Sequence, residues 1–419
     1  MKKVRVLIAL MVICSLGLLT GCARVTVQDQ TGMGMTGQIP PGDAPSAEPE
    51  QEQTRESLLW ENCYGYAYGS LSEAEQLWYR DMADALGVMA ADIKLSVEGL
   101  DHGLDETCVD RIFQSVLVDH PELFFVEGYS YTKYTVGDRI VSIEFAGNYS
   151  IDWEEACERE QKIAEEAEKI LAAVPESPDD YGRIKYIYDT LVTGTDYDRT
   201  APDNQNIYSV FVGHASVCQG YAKAFQYLME RMGIACTLVQ GEVLETGEGH
   251  AWNLVKADGE FYYVDVTWGD ITFHNAEETS EEASEIPELP EWISYDYLCI
   301  TTDQLLRTHI PDSSMKCPLC TAVEDNYYVR EKAFFREYDK EQLEDLVDRR
   351  IAEGERTEEG NVILALCCSD AACYEECCSK LLGTQELFGY LEGTGIDTFV
   401  YSTDDKQYTL TFFMVTTTP

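Results

Sequence analysis

Positive charge is scarce in this sequence. Lysine and arginine together number 30, against 76 aspartates and glutamates, so the formal net charge is -46 and the isoelectric point is about 4.2. Surfaces that bind phosphate need clustered lysine and arginine, and the chain has no such cluster. The sequence therefore argues against a nucleic-acid partner. Its acidity is first of all a means of staying soluble, and attraction of cationic partners is the second interpretation.

The apolar run near the N-terminus is too short to cross a membrane. Residues 6–19 fall below the roughly 20 apolar residues that a spanning helix needs. The run follows Lys2, Lys3 and Arg5, which is the arrangement of a signal peptide. It ends in Leu-Thr-Gly-Cys at Cys22, which resembles the lipobox of bacterial lipoproteins. The resemblance implies cleavage after residues 1–21, a lipid on Cys22 and a protein held on the extracytoplasmic face of the cell membrane. The alternative is a generic secretion signal with a chance cysteine.

Phe, Trp and Tyr are absent from residues 23–57, which are rich in Gly, Pro, Gln, Ser and Glu. Such a stretch cannot bury enough apolar surface to order itself. We therefore predict a flexible linker over 22–57. A coil of that length reaches roughly 30 Å, by a scaling of about 5–6 Å times the square root of the residue number.

A chain of 419 residues is long enough for two or three domains. We expect an N-terminal α+β region over 58–175, a central region over 176–315 that carries the motifs below, and a small C-terminal α+β region over 316–419. The pattern predicts a helix opened by a capping box at Ser72 and Glu75. It also predicts a hairpin that turns at Gly137-Asp138, and helices over 153–173, 181–192 and 218–232.

Three motifs in the central region carry chemistry. Cys218 opens a predicted helix within Ser-Val-Cys-Gln-Gly, His250 lies in a predicted strand Gly-His-Ala-Trp-Asn, and Asp265 lies in Val-Asp-Val-Thr-Trp on the next strand. A helix N-terminus lowers the pKa of a cysteine and so favours the nucleophilic thiolate. An imidazole can take the thiol proton and later return it to a leaving amine. A carboxylate on the far ring nitrogen fixes the tautomer.

A count along the predicted hairpin brings two of these residues together. With a two-residue turn at Asp258-Gly259, paired positions sum to 517, so that Trp252 faces Asp265. His250 and Asp265 then become diagonal neighbours on one face, within reach of each other's side chains.

Taken together, the three motifs resemble the bacterial transglutaminase-like superfamily over about residues 180–270. The resemblance implies an α+β fold with a papain-like core, in which the nucleophile helix packs on an antiparallel sheet. It implies that Cys218 is the nucleophile, His250 the general base and acid, and Asp265 the orienting group. The implied reaction is acyl transfer from a protein or peptide amide through a thioester, with water or an amine as acceptor and with no cofactor and no metal. The alternative from another functional class is a non-catalytic binding lipoprotein of the same fold.

The remaining cysteines and histidines have less specific interpretations. Cys317 and Cys320 have the spacing of half a zinc site, but no second pair follows, so a disulfide or plain thiols are favoured over a metal. The dense group at residues 367–378 is interpreted first as disulfides, second as core thiols and third as a metal cluster. His214 is expected in a loop, and His274 and His309 at the surface or in a structural role.

Two tryptophans and an acidic loop lie near the three motifs in the sequence. Trp268 is expected in the core, whereas Trp252 packs the core or walls a cleft. The acidic loop over 276–291 follows the third motif, and we expect it to favour cationic substrates or lysine acceptors.

Overall fold

The computed structural model describes residues 2–9, 25–26, 65–177, 179–270, 290, 292–313, 315, 317–357 and 360–416. Strand β1 (Lys2–Ala9) pairs antiparallel with a later strand and with β2 (Val25–Thr26). The signal peptide and the lipidation at Cys22 stay predictions, and Cys22 itself lies outside the described residues. No helix in the described ranges combines the length and apolarity that membrane crossing requires.

The chain divides into two compact units within one long helix. Among the described residues, the first unit ends at Cys157 and the second begins at Glu158. The five segments expected from the sequence stay a prediction.

The first unit is built on a five-stranded sheet with strand order β2-β1-β4-β5-β3. Its further elements are α1 (Tyr66–Ser70), α2 (Glu73–Gly87), β3 (Ile93–Lys94), α3 (Val97–Asp101), α4 (Val109–Asp119), β4 (Val126–Val136) and β5 (Arg139–Tyr149). The predicted capping box is present, because the Ser72 side chain accepts from the backbone of Glu75 while Glu75 accepts from the backbone of Ser72. The hairpin turns at residues 137–138 as predicted, where Gly137 adopts a positive φ of 62°.

The second unit contains two four-stranded sheets and a short two-stranded one. Their strand orders are β10-β9-β8-β11, β12-β13-β15-β14 and β6-β7. Helix α5 (Trp153–Ala172) contains the boundary between the two units. It is followed by α6 (Asp180–Gly194), β6 (Asp196–Tyr197), β7 (Ala215–Ser216), α7 (Cys218–Arg231), β8 (Cys236–Val243), β9 (Gly249–Ala257) and β10 (Glu260–Val264). After them come α8 (Thr302–Leu305), β11 (His309–Pro311), α9 (Tyr327–Arg330), β12 (Phe334–Phe335), α10 (Lys340–Glu353), β13 (Val362–Cys368), α11 (Ala371–Cys378), α12 (Leu387–Tyr390), β14 (Ile396–Asp404) and β15 (Thr409–Thr416).

Helix α7 packs on the first of these sheets through an apolar face. Tyr221, Phe225 and Leu228 on that face are all fully buried, as the predicted spacing requires. Gly233 follows the helix with a φ of 75°, the left-handed conformation that a C-cap glycine accepts at little cost. The fold is therefore α+β, with the helix that begins at Cys218 lying on an antiparallel sheet, as the sequence predicted.

The register of the β9–β10 hairpin agrees with the sequence count up to Val264 and departs from it afterwards. Glu260 pairs with Ala257 and Val264 with Asn253, each pair summing to 517. Strand β10 then ends, and Asp265 bonds through its backbone N–H to the carbonyl of Tyr297, 3.1 Å away. The ladder between these two strands therefore stops one pair short of the predicted pairing of Asp265 with Trp252.

The strand ends because the chain turns at Asp265. The Asp265 carboxylate accepts from the backbone N–H of Trp268 at 3.3 Å, and residues Thr267–Gly269 form a 3₁₀ turn. A side chain that accepts from the backbone three residues ahead offers the chain an alternative to the sheet ladder. The prediction that Asp265 lies within the strand missed this competition.

Candidate active site

Cys218 is placed at the start of α7 by a tightly packed loop. The backbone N–H of Val217 donates to Asn204 O at 3.2 Å, and the hydroxyl of Ser216 donates to the same carbonyl at 2.9 Å. A β-carbon on Gly220 would overlap the Ser216 hydroxyl. Glycine is therefore required two residues after the cysteine, because the loop crosses the first helical turn at close range.

Two contacts set the first turn of α7 beside the His250 end of β9. Gln219, next to Cys218, accepts from the amide of Gln240 at 3.3 Å, and Gln240 precedes Gly241, the residue that pairs with His250. Further along, buried Asn253 on β9 donates to Ala222 O at 2.9 Å. The helix and the strand thus run past each other with Cys218 and His250 at the same end. Cys218 itself is only 4% exposed.

His250 and Asp265 form a buried hydrogen bond. Nε2 of His250 lies 2.6 Å from Oδ2 of Asp265, and the two side chains are 4% and 1% exposed. Burial acts to raise the pKa of Asp265, but the two neighbouring imidazoles outweigh burial and hold that pKa well below its usual value. The carboxylate is therefore ionised and can only accept, so Nε2 of His250 carries the proton. Nδ1 is then the ring nitrogen that is basic in the neutral imidazole.

A second histidine shares the same carboxylate oxygen. Nε2 of His309 lies 3.1 Å from Oδ2 of Asp265, and the His309 side chain is fully buried. Burial lowers the pKa of His309 below the ordinary histidine value, with the carboxylate opposing this effect. The expectation that His309 lies at the surface is wrong, and the structural role named beside it agrees with this position.

The proton positions on His309 follow from a chain of hydrogen bonds. Because Asp265 accepts, Nε2 of His309 donates, and Nδ1 of the neutral ring accepts from the Thr308 hydroxyl at 2.8 Å. Thr308 in turn accepts from the Tyr297 hydroxyl at 3.1 Å, which accepts from the Gln407 amide at 3.2 Å. The assignment rests on the ionised Asp265, because the single proton of the Thr308 hydroxyl has a second acceptor in the carbonyl of Leu305, 3.4 Å away. Gln407 brings the turn between β14 and β15 into the support of the site.

Aromatic rings enclose the two imidazoles. His250 stacks on fully buried Trp252 at a centroid distance of 5.8 Å, and Trp268 lies 5.8 Å from His250 and 4.6 Å from His309. Trp268 is half-buried rather than part of the core, contrary to expectation. Trp252 belongs to the core, which decides between its two interpretations. These rings lower the local dielectric and strengthen the hydrogen bonds to Asp265.

No pattern in the sequence indicates that His309 belongs to the site. His309 pairs with Val243 through the three-residue strand β11, which contains a proline. So short a strand has no alternation to read, and its partner β8 lies more than 60 residues earlier in the chain. Of the other histidines, His214 is exposed in the loop as expected. His274 and the acidic loop, apart from one residue at position 290, lie outside the described residues.

Two sets of side chains in the described ranges could each hold a metal ion. His250, Asp265 and His309 offer three ligand atoms within 4.8 Å of one another, as do Cys368, Cys373 and Cys377. In the first set both Nε2 atoms already bond to one carboxylate oxygen, so an ion would have to replace the hydrogen bonds that orient His250. We therefore interpret His250, Asp265 and His309 as a base with its orienting groups rather than as a metal site.

Residues 169–266 match the family model described as the transglutaminase-like superfamily. The chain therefore contains a transglutaminase-like domain. The match agrees with the resemblance predicted for about residues 180–270 and covers both the helix of Cys218 and the strand of His250. No curated protein matches the chain.

Solved structures are similar to about a third of the chain. A TGase is 15% identical over 34% of this chain and 44% of its own, with a TM-score of 0.25. A candidate cysteine protease from Cytophaga hutchinsonii is 12% identical over 33% of this chain and 61% of its own, with a TM-score of 0.23. The periplasmic domain of TgpA from Pseudomonas aeruginosa is 14% identical over 34% and 72%, with a TM-score of 0.21. The chain thus spans less than two thirds of the first two proteins, and scores this low add no argument to the family match.

Proposed function

We propose that this protein is a lipid-anchored, extracytoplasmic thiol enzyme that cleaves or transfers the acyl group of protein or peptide amides. The observation that carries the proposal is the buried hydrogen bond of 2.6 Å between His250 and Asp265, on a strand against which the helix of Cys218 packs. A base oriented by a buried carboxylate, beside a cysteine at a helix N-terminus, is the arrangement that activates a thiol.

Cys218, His250 and Asp265 have separate roles in the proposed reaction. Nδ1 of His250 takes the proton of Cys218, and the thiolate sulfur adds to the amide carbonyl. The tetrahedral intermediate collapses when the amine leaves with the proton held by His250, which gives a thioester on Cys218. Water or a second amine, deprotonated by His250, then attacks the thioester and releases the acid or the new amide. Asp265 remains ionised throughout and steadies the imidazolium.

His309 acts in this scheme through Asp265 and is a positioning residue. It gives the carboxylate a second buried donor, so Asp265 stays ionised and fixed in direction while His250 gains and loses its proton. The backbone N–H of Cys218, at the start of the helix, is the proposed oxyanion donor.

The test has two stages, and Cys218→Ala is the control in both. Alkylation of Cys218 by iodoacetamide, followed by mass spectrometry across pH 5–9, measures the reactivity of the thiol. An activated thiol should react at pH 5–6, where an ordinary cysteine with a pKa of about 8.5 is almost wholly protonated. Incubation with a peptide library and a primary amine then shows cleavage or amine incorporation.

The competing proposal is a binding lipoprotein that uses the fold without catalysis. It predicts that Cys218 reacts only at alkaline pH and that no peptide is cleaved or modified. An ordinary alkaline alkylation profile, together with unchanged peptides, would contradict the enzyme proposal and favour the binding one.

A further inference from the structure

Three cysteines of the second unit converge where β13 ends and α11 begins. Cys368 is the last residue of β13, and Cys373 and Cys377 lie one turn apart on α11. All three are buried, with exposed fractions of 1%, 5% and 1%. Their sulfur atoms lie within 4.8 Å of one another. We call these three residues the thiol cluster.

Local structure holds the thiol cluster in place. Asp370 caps α11, and its carboxylate accepts from the backbone N–H of Cys373 at 3.0 Å. The backbone N–H of Cys368 donates to Tyr408 O at 2.8 Å, which ties the end of β13 to the segment leading into β15. The cluster thus stands on a capped helix and a paired strand, the kind of rigid support that a preformed ligand set needs.

Disulfides, the first interpretation from the sequence, are not what the structure contains. All twelve cysteines in the described part of the chain are thiols. Cys373 and Cys377 share a helix face, where β-carbons lie about 5–6 Å apart. A disulfide needs β-carbons about 3.5–4.5 Å apart, so this pair cannot close without distorting α11. A disulfide from Cys368 to Cys373 or to Cys377 would leave the remaining cysteine of the three as a thiol.

The separation of the sulfurs suits a shared metal ion. An ion at about 2.3 Å from each sulfur places the sulfurs about 3.8–4.0 Å apart. The observed limit of 4.8 Å is within reach of that spacing through small side-chain rotations. Two ligands one helical turn apart and a third from an adjoining strand can therefore close on one ion without moving the backbone.

The neighbouring cysteines do not belong to the cluster. Cys367 points to the other face of β13, where its sulfur lies 3.6 Å from Gln407 O. Cys378 is half-buried and hydrogen-bonds with the side chain of Tyr374. Both are therefore matched controls, since they are cysteines next to cluster members in sequence.

The electrostatic surroundings favour a cation. Asp370 and Glu376 place negative charge beside Cys373 and Cys377. Three buried thiolates in such a field are stable only when a positive ion neutralises them. Thiolates select soft ions such as Cu⁺ and Zn²⁺ over Mg²⁺ or Ca²⁺.

We propose that Cys368, Cys373 and Cys377 form a three-thiolate site for a thiophilic d¹⁰ cation, Cu⁺ or Zn²⁺. On binding, three S–H bonds break, three metal–sulfur bonds form, and three protons pass to the solvent, with no change of oxidation state. Cu⁺ is satisfied by three sulfurs. Zn²⁺ takes water as a fourth ligand, as it does in three-ligand protein sites. The site uses none of the residues of the proposed reaction, so the two proposals fail or stand separately.

The test uses the reduced full-length protein under anaerobic conditions. Zn²⁺ and Cu⁺ are titrated separately against a chromogenic chelator, and Co²⁺ is added as a spectroscopic substitute whose thiolate charge-transfer band reports sulfur ligation. Wild type should bind one equivalent and show the Co²⁺ band. Cys373→Ser and Cys377→Ser should each weaken binding at least about 100-fold, since even changes to residues that only support ligands cost about 10–100-fold. Cys367→Ser and Cys378→Ser should bind within about twofold of wild type.

Several outcomes would overturn the proposal. They are no binding of either ion, equal binding by cluster and control variants, a Co²⁺ spectrum without thiolate bands, or a disulfide within the cluster in protein isolated from an oxidising compartment. If one serine variant fails to fold, the other still tests the site, because the wild-type Co²⁺ spectrum counts the sulfur ligands and the loss of one ligand in either cluster variant shows that the cluster supplies them. Preference for one ion over the other assigns the occupant.

Discussion

Nε2 of His309 and Oδ2 of Asp265 lie 3.1 Å apart in the interior of the second unit, and that oxygen is the one that also accepts from His250. The carboxylate that orients the proposed base therefore has two imidazole donors rather than one. Its low pKa results from both, since burial alone would raise it. His309, which the sequence motifs do not include, thus adds to the larger effect of His250 in lowering the pKa of Asp265.

Replacement of His309 should distinguish the contribution of its hydrogen bond to catalysis from the contribution of its ring packing. His309→Phe keeps an aromatic ring against Trp268 but removes the donor, and His309→Gln keeps an N–H donor. A hydrogen bond to a charged group contributes about 1.5–3 kcal/mol, so His309→Phe should lower kcat/KM about 10–100-fold, with the loss mainly in kcat. His309→Gln should lose less.

The pH profile distinguishes positioning from a merely structural role. With one donor fewer, the pKa of Asp265 rises, so the acid limb of kcat/KM against pH should move to higher pH in His309→Phe and return towards wild type in His309→Gln. If both variants keep the wild-type profile, His309 does not act through Asp265. The measurement uses a peptide or amine substrate found by the library experiment.

Gly220 should be intolerant of a methyl group although it lies inside a helix. Alanine is usually the better helix former by about 1 kcal/mol, but a β-carbon here would meet the Ser216 hydroxyl and the carbonyls of Asn204 and Asn206. Gly220→Ala should therefore lower the free energy of unfolding by about 1–3 kcal/mol and reduce alkylation of Cys218 at acidic pH.

Gly213 is the matched control in the same segment. A β-carbon there would find its nearest neighbour, Ser209 Cβ, at 3.9 Å, and its φ is not positive. Gly213→Ala should leave stability within about 0.5 kcal/mol of wild type in urea unfolding. A Gly220→Ala protein as stable as Gly213→Ala would show that the loop before Cys218 is less tightly fixed than its contacts indicate.

Asp296 should make the protein less stable as the pH rises. Burial raises the pKa of Asp296 to about 7, with Asp404 acting in the same direction and the hydroxyls of Tyr328 and Thr409 opposing them. Between about pH 4 and 7 the folded state holds a proton that the unfolded state has released, so stability falls across that window. Above it, the cost of the buried charge is constant.

Asp296→Asn removes this cost while keeping a polar group opposite the two hydroxyls. The variant should be more stable than wild type at pH 8, by on the order of 1–3 kcal/mol, and equal or less stable at pH 4. Thermal unfolding at the two pH values checks the sign. A variant destabilised equally at both would mean that Asp296 is ionised in the folded protein over the whole range.

Replacement of Cys22 should test whether a lipid on this residue holds the protein at a membrane. If it carries a lipid, the protein expressed in a bacterial host should label with an alkyne-tagged fatty acid and partition into the detergent phase of a cloud-point separation. Cys22→Ser should lose both properties, while Cys14→Ser, which lies within the predicted signal peptide, should keep them. Detergent partition that is the same in wild type and Cys22→Ser would exclude the lipid anchor.

Several features were determined by the sequence itself because local rules suffice for them. The capping box at Ser72 and Glu75 and the C-cap at Gly233 depend only on residues within one helical turn. The Asp258-Gly259 turn fixed the register of β9 and β10 because both of its residues adopt a positive φ, at 48° and 97°. The argument against nucleic-acid partners also needs no fold, because the net charge of -46 can be counted from the sequence, and it stays a prediction.

The tertiary structure alone decided where strands end and which distant groups meet. Asp265 ends β10 because its carboxylate bonds to Trp268 and its backbone to Tyr297, a partner 32 residues away along the chain. His309 reaches Asp265, and Cys368 reaches the helix of Cys373, through contacts whose partners no local pattern specifies. A sequence records which side chains are able to act as base, orienter or ligand. Backbone hydrogen bonding alone is alike in many strand registers. Only the packing of separate strands therefore determines which of these side chains meet at one buried atom.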